Sequence, residues 1–288
     1  MKILILGGSG FIGKVLVKKL LNEKHQVHSF DTAPINLIEK NLKYTKGNIS
    51  EIEKFSNIFK GIDAVFHFAA ISGLEYASKN PELTVNINIL PTIKILKLCK
   101  KNNVKKFIFS SSLYVNGNKG GYYRCSKIAS EIYIKEFCNI NRLNYIILRF
   151  GSVFGRGSNL DNGIHKIIHN YFKTKKIQYT GDKESMREYI HVEDIARGCN
   201  NLIKSKMSNK VINLSGYQRI KIKDLLLLIS EMLNFRGKVE FKQKKMLGHY
   251  KYTAYNLDDI HPKKLLLEYS TDFEEGLKDT IKYIKDSM

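Results

Sequence analysis

The sequence predicts an α/β fold built on a doubly wound parallel sheet, and three observations carry that prediction. Short apolar runs alternate with stretches of helical periodicity along most of the chain, an order that builds a parallel sheet with helices on both faces. The first run, Lys2 to Leu6, passes directly into a glycine turn and then an amphipathic stretch, Lys14 to Asn22. The size also fits: 288 residues, 43% hydrophobic and 26% charged, suit one large domain or a core domain with a smaller appendage.

The glycine turn, Gly7-Gly8-Ser9-Gly10-Phe11-Ile12-Gly13, follows a strand and opens a helix, the setting in which such a turn binds a dinucleotide. Gly7 permits the tight turn, Gly10 lets backbone amides approach a pyrophosphate, and Gly13 lets the helix pack close to the strand. The helix N-terminus adds a favourable field for phosphate. Val27 to Phe30 reads as the next strand and ends in Asp31, about 20 residues past the turn. A carboxylate there accepts hydrogen bonds from adenosine ribose hydroxyls and repels a 2′-phosphate, and neither Thr32 nor Ala33 supplies a compensating charge. NAD is therefore favoured over NADP, which a lysine from elsewhere in the fold would be needed to rescue.

Gly47-Asn48-Ile49 follows a further apolar segment and suits a loop under an adenine ring. Ala64 to Ala70, AVFHFAA, reads as a buried strand ending in small residues, Ala69 and Ala70, against which a cofactor backbone can lie. His67 sits inside that run and reads as a core histidine. Leu83 to Asn102 is helical in pattern, and Phe107-Ile108-Phe109 is a strand that delivers Ser110 to Ser112. Ligands in such sheets bind at the carboxyl ends of strands, so the glycine turn and the serines face one crevice.

Tyr123 and Lys127 stand four apart, which on a helix places phenol and ammonium on one face. A phenol of pKa near ~10 is a poor acid at neutral pH. A neighbouring ammonium is expected to lower that value, so that Tyr123 exchanges a proton with a substrate hydroxyl or carbonyl while Ser112 holds the same oxygen. Taken alone, a Tyr and a Lys at this spacing are ordinary surface residues, and the flanking motifs supply the meaning.

Net charge is +21 with a pI near 9.6, but the lysines are scattered in pairs such as Lys18-Lys19 and Lys175-Lys176 and do not form a basic block. Nucleic acid is not the expected partner. The four cysteines, Cys99, Cys125, Cys138 and Cys199, form no CxxC pair and share no metal-ligand spacing with the histidines, so no metal is expected and the compartment reads as reducing and cytoplasmic. MKILILGGSGFIG is too short and glycine-rich for a membrane span.

Taken in order, GGSGFIG, FHFAA, Asn88-Ile89-Leu90-Pro91-Thr92, FSSSLYVNG, YRCSK, Leu148 to Gly155 and MREYIHVEDIARG (Met186 to Gly198) resemble the extended short-chain dehydrogenase/reductase family of NAD-dependent nucleotide-sugar epimerases, dehydratases and ketoreductases. Ile212 to Ser215 and Phe273 to Leu277 extend the match almost to the end of the chain. The resemblance implies a Rossmann-type sheet with a smaller C-terminal α/β substrate domain: residues 1–155 plus 186–214 hold NAD, and 156–185 plus 215–288 hold a nucleotide diphosphate sugar. It implies Tyr123 as general acid/base, Lys127 on the nicotinamide ribose, and Ser112, selected over Ser110 and Ser111 by its spacing to Gly117, on the reacting oxygen. Cofactor contacts are implied at Gly7, Gly10, Phe11, Ile12, Gly13, Asp31, Asn48, Ile49, Phe68, Ala69, Ala70, Lys127 and Val153, and substrate contacts at Ser152 and Arg187, whose guanidinium suits a diphosphate. His191, Glu193 and Asp194 are structural in this setting, with Asp194 expected to cap the helix that follows. A homodimer through a four-helix bundle is implied by the apolar helices Leu83 to Asn102 and the one that carries Tyr123.

Three departures narrow the chemistry. Ser112-Leu113-Tyr114 lacks the acidic pair of the 4,6-dehydratases, so dehydration is not expected. Only eleven positions separate Ser112 from Tyr123, so a covering loop is short and the site is expected to be open on that side. Ser152 stands where many relatives have asparagine, and Gly248 to Asp258 has no arginine, which leaves Lys251 as a substitute point charge. The expected reaction is hydride transfer at sugar C4. A single transfer, as in a 4-ketoreductase or C4 dehydrogenase, is preferred for the short loop, with a 4-epimerase holding NAD tightly as the alternative. A non-catalytic NAD-binding regulator is a third reading, opposed by the presence of Ser112, Tyr123 and Lys127 together.

Overall fold

The computed structural model describes residues 1–242, 249, 251–252, 263–264, 267 and 270–288. The chain begins with β1 (Lys2–Leu6), α1 (Phe11–Asn22), β2 (Gln26–Asp31), β3 (Leu42–Lys46) and a kinked 3₁₀ segment (Ile49–Phe59). It continues with β4 (Ala64–His67), α2 (Leu74–Lys79), α3 (Pro81–Thr84), a π turn (Val85–Ile89), α4 (Leu90–Lys101) and β5 (Lys106–Ser112). A 3₁₀ turn (Leu113–Asn116) leads to α5 (Gly121–Asn141), β6 (Tyr145–Phe150), β7 (Ser152–Phe154), α6 (Gly163–Thr174), β8 (Gln178–Thr180), β9 (Met186–His191) and α7 (Val192–Lys204). The remainder forms β10 (Lys210–Leu214), β11 (Arg219–Lys221), α8 (Ile222–Met232), β12 (Glu240–Lys242), β13 (Lys263–Lys264) and α9 (Phe273–Asp286).

Eight strands make one sheet in the order β13-β10-β6-β5-β4-β1-β2-β3, every neighbouring pair parallel. The cause is visible in β1. Ile3 and Ile5 enter one core cluster with α1 and α7, while Leu4 and Leu6 enter another with the 49–59 segment, α4 and α5. A strand apolar on both faces is buried only between two helical layers, and successive side chains point to opposite faces. Strand order runs outward from β1 through β2 to β3 and, in the other direction, from β4 onward. The crevice at the carboxyl ends of β1 and β4 is thus the topological switch point where ligands bind in such sheets.

The turn after β1 needs its glycines for identifiable reasons. Gly7 has φ +94°, and a Cβ there would lie 2.5 Å from the Ala69 amide nitrogen; a Cβ on Gly13 would lie 2.0 Å from the Gly7 carbonyl oxygen. The strand-turn-helix reading of the sequence is the one observed.

Leu83 to Asn102 differs from expectation. It is not one helix but α3, a π turn and α4, because Pro91 has no N–H for the ladder and the extra residue of a π turn absorbs the break. Asn88, at that turn, directs its amide to the Ile71 backbone at 2.8 and 3.0 Å and to the Ser126 hydroxyl at 2.9 Å. The irregularity therefore ties the loop after β4 to α5.

Beyond β6, the chain builds a three-stranded sheet, β11-β9-β7, and a pair, β12-β8. A third core cluster, including Phe154, Ile168, Leu226, Ile229, Leu277 and Ile284, joins α6, α8 and α9. Asp194 does not cap α7. Its carboxylate accepts hydrogen bonds from the Thr271 amide at 3.0 and 3.1 Å and from the Thr271 hydroxyl at 3.0 Å, and it pairs with Arg197. It fastens the approach to α9, a long-range partner that local spacing does not reveal.

Candidate active site

α5 begins after Gly120, whose φ of +115° turns the chain sharply into the helix. Tyr123 lies in the first turn and Lys127 one turn on, so the two side chains share a face as their spacing requires. The three serines that end β5 point to three different partners. Ser110 donates to the His67 carbonyl at 3.1 Å, and Ser111 donates to Glu131 Oε1 at 2.5 Å. The Ser112 hydroxyl accepts from the Tyr114 amide at 3.3 Å and faces the Tyr123 phenol, whose ionised form it favours.

Lys127 is buried, and its Nζ donates to the Ser110 carbonyl at 2.8 Å, 4.7 Å from the Phe109 ring centre and 5.8 Å from that of Tyr123. Desolvation lowers its pKa from 10.5 to about 7, opposed by the carboxylate of Glu131. The expected depression of Tyr123 is not what the structure gives. Burial pushes the phenol up to about 12, with only the Ser112 hydrogen bond pulling the other way. The reason is physical: removing a phenolate from water outweighs an ammonium that is itself poorly solvated. In the protein alone Tyr123 is held as the protonated form, which is the donor.

The glycine turn, Asp31 and the loop after β4 meet at the same end of the sheet. Phe11 and Ile12 open α1, and Asp31 ends β2, accepting from the Ser9 amide at 2.9 Å and the Ala33 amide at 3.1 Å. The amides of Phe68 and Ala69 both bond the Leu6 carbonyl at 2.8 Å, and Ala70 follows. Asn48 caps the 49–59 segment by accepting from the Ser50 amide at 3.0 Å, and Ile49 is buried beneath it. Val153 and Ser152 lie on β7.

His67 is a core residue as expected: Nε2 bonds the Thr92 hydroxyl at 3.0 Å, and desolvation lowers its pKa to about 3. Because the Thr92 hydroxyl already donates to the Asn88 carbonyl, Nε2 carries the proton.

Arg187, on β9, is buried, not solvated, and donates to the carbonyls of Met186 and Lys251 at 2.9 and 3.4 Å. Lys251 braces Arg187 through its backbone while its own ammonium turns to Asp182 at 3.5 Å. The remainder of Gly248 to Asp258, apart from His249 and Tyr252, lies outside the described residues.

Two contributors carried no sequence signal. Tyr114 packs edge-on against Tyr123, with ring centres 6.4 Å apart, and its hydroxyl meets His249 Nδ1 at 3.3 Å. His249, from a stretch without a motif, has its pKa lowered by burial and then by the charge of Arg187. A chain of interactions thus runs from Tyr123 through Tyr114 and His249 toward Arg187. A cavity lies elsewhere, between β9 and the start of α9, lined by Tyr189, His191, Ser215 and Phe273. Among the described residues, no group of ligands suited to a metal ion occurs and no helix is long and apolar enough to cross a membrane.

A glycine turn at the switch point of a parallel sheet defines the class of α/β proteins that bind a dinucleotide, and here a serine, a tyrosine and a lysine converge beside it. The chain belongs to the NAD dependent epimerase/dehydratase family, whose model matches residues 3–215. It is 27% identical to an uncharacterised UDP-glucose epimerase of Bacillus subtilis, over 99% of this chain and 98% of that protein. It is 26% identical to a UDP-glucuronate 4-epimerase of Thermodesulfobacterium geofontis, over 99% and 96%. The UDP-N-acetylglucosamine 4-epimerase of Methanobrevibacter ruminantium M1, solved with UDP-N-acetylmuramic acid, superposes with a TM-score of 0.87 at 25% identity, over 100% of this chain and 99% of that one.

Proposed function

We propose that the protein is an NAD-dependent UDP-sugar 4-epimerase with Tyr123 as its general acid/base. The observation that carries the reading is the convergence of Ser112, Tyr123 and Lys127 at the switch point beside the glycine turn. The preference for a single hydride transfer gives way to epimerisation on two grounds. The compared relatives are named as epimerases of three different sugars, and the Tyr114–His249 contact ties the short loop to the C-terminal part of the chain. A dehydratase remains disfavoured, since Leu113 and Tyr114 stand where an acidic pair is needed.

The residues present suit NAD. A Cβ on Gly10 would meet only the Gly7 carbonyl at 3.4 Å, leaving space over the turn, and the buried Ser9 hydroxyl has no protein partner. Gly7 to Gly13 would hold the pyrophosphate, Asp31 the adenosine ribose, Asn48 and Ile49 the adenine side, Phe68 to Ala70 and Val153 the middle of the crevice, and Lys127 the nicotinamide ribose. Bound there, NAD would supply hydride transfer to and from sugar C4. Tyr123 takes the C4 hydroxyl proton and gives it back, Ser112 orients that oxygen, and Ser152 and Arg187 contact the nucleotide sugar.

The same reading divides the chain into an NAD-binding part, 1–155 with 186–214, and a sugar-nucleotide part, 156–185 with 215–288. It also includes a homodimer, supported by the exposed apolar side chains Leu83, Val85 and Leu90 before and on α4 and Ile132, Tyr133 and Ile140 on α5.

Incubation with UDP-glucose, UDP-N-acetylglucosamine and UDP-glucuronate, with products resolved by NMR, tests the function. The expected outcome is a 4-epimer pair with no net change in reduced-nicotinamide absorbance. Stoichiometric NADH accumulation would restore the single-transfer reading. Tyr123→Phe is expected to lower turnover by about 10²–10⁴-fold; undiminished turnover in that variant would sink the catalytic assignment.

A further inference from the structure

On both sides of Ser112 the chain is held by buried groups, and two of them, Glu131 and Arg149, are given no task by the catalytic reading. Just before it, the Ser110 carbonyl accepts from Lys127 Nζ at 2.8 Å and the Ser111 hydroxyl donates to Glu131 Oε1 at 2.5 Å. Just after it, Asn116 Oδ1 accepts from Arg149 Nη1 at 2.7 Å. Glu131 and Arg149 close the circuit through a two-pronged ion pair, Nε to Oε1 at 3.1 Å and Nη2 to Oε2 at 2.7 Å, with the residues 3% and 4% exposed. Glu131 lies one helical turn beyond Lys127 on α5, and Arg149 lies opposite Ser111 in the β5–β6 ladder.

A buried ion pair is weak evidence for stability, because desolvation of both charges offsets their attraction and apolar replacements often do as well. Its placement therefore asks for another explanation. We propose that Glu131 and Arg149 are positioning residues of the reaction, bracketing Ser112 from both sides and supplying the negative charge that keeps the Lys127 ammonium beside Tyr123. This rests on the epimerase reading above and assigns the pair a role within it.

The geometry separates two effects. Through Ser111 and Asn116 the pair fixes where the Ser112 hydroxyl meets the phenol, a position for which an error of about 1 Å can cost on the order of 10²-fold in rate. Through its charge, Glu131 opposes the desolvation of Lys127. The titratable and charged groups set around Lys127 are Tyr123 and Glu131 from its own helix, His67 from β4, and, through Glu131, Arg149 from β6. His67 is held neutral, so Glu131 is the negative charge among them. Replacing it by an amide leaves the Arg149 guanidinium uncompensated, and Lys127 then loses its proton at lower pH.

The test measures Glu131→Gln, Asn116→Ala and the double variant Glu131→Gln/Arg149→Met in the full chain with NAD. Turnover and KM for the UDP-sugar are followed across pH, with folded protein verified by melting and NAD binding. Glu131→Gln and Asn116→Ala are expected to lower kcat by about 10²-fold, as for the misplacement above, with KM changed less than about twofold. The alkaline limb of the pH profile moves to lower pH in Glu131→Gln, moves part-way back in the double variant, and stays in place in Asn116→Ala. A folded Glu131→Gln with wild-type kcat and an unmoved limb overturns the proposal. So does a loss of activity that only follows the loss of folded protein. If Glu131→Gln does not fold, Asn116→Ala decides, since it leaves the ion pair intact, and wild-type kcat in that variant overturns the bracket. Tyr123→Phe is run on the same sugar: if it keeps full turnover the epimerase chemistry itself fails, whereas an inactive Tyr123→Phe beside an unaffected Glu131→Gln defeats this proposal alone.

Discussion

Replacing Lys127 by methionine should make the protein more stable near neutral pH while removing its activity. The folded state holds this ammonium, 3% exposed, against a carbonyl and an aromatic face, and its pKa falls from 10.5 to about 7. At 1.36 kcal/mol per pH unit the gap corresponds to roughly 5 kcal/mol of destabilisation. The sign follows from proton binding. Below pH about 7 both states carry the proton and the full cost is present; between about 7 and 10.5 only the unfolded chain does, so stability rises with pH and the cost disappears. Methionine fills a similar volume without the charge, but it forfeits the charge-assisted hydrogen bond to Ser110, worth about 1.5–3 kcal/mol. A net gain of about 2–4 kcal/mol at pH 7 remains from those two figures. Denaturant unfolding of both proteins from pH 7 to 10 isolates the group, because every other titration is common to the two. The advantage of the variant should shrink by about 1.4 kcal/mol per pH unit across that window. A constant difference, or a less stable variant at pH 7, would show that Lys127 is not held in a desolvated site, and the account of its charge would fall with it.

Asp31→Ala should relax cofactor choice, since the carboxylate ends β2 beside the glycine turn, where the proposed reading puts the adenosine ribose, and holds the Ser9 and Ala33 amides. Titration with NAD and NADP is expected to show NAD binding weakened about tenfold and the NADP disadvantage reduced, a change of roughly 1.4 kcal/mol. An unchanged preference would place the discrimination elsewhere. Asp194→Ala should leave the nucleotide turn intact but cost about 2–4 kcal/mol, because it unfastens Thr271 and leaves Arg197 without its buried partner. Urea unfolding measures the loss, and a change below about 0.5 kcal/mol would reduce that anchor to an incidental surface contact.

The sheet was legible because its causes are local: an apolar run buried on both faces, a glycine turn and a helix follow one another within the first 22 residues, and the unit then repeats. The serine, tyrosine and lysine were legible for the same reason, since one strand end and one helical turn fix their directions. Where a property depends on what tertiary packing brings near, spacing misled. Asp194 looked like a cap because the sequence shows its helix and conceals Thr271, 77 positions away. Leu83 to Asn102 looked like one helix because the sequence shows apolar periodicity, while Pro91 and the reach of Asn88 to Ile71 are satisfied only by a π turn. The sign of the tyrosine shift failed for a related reason. The i,i+4 rule brings an ammonium close, but the rule is silent on solvent, and here one buried face desolvates phenol and ammonium together. A phenol at about 12 beside a lysine at about 7 is not an activated base waiting in the protein. On the epimerase reading proposed above, Glu131, whose carboxylate opposes the desolvation of Lys127, is the residue through which proton exchange with Tyr123 would be tuned.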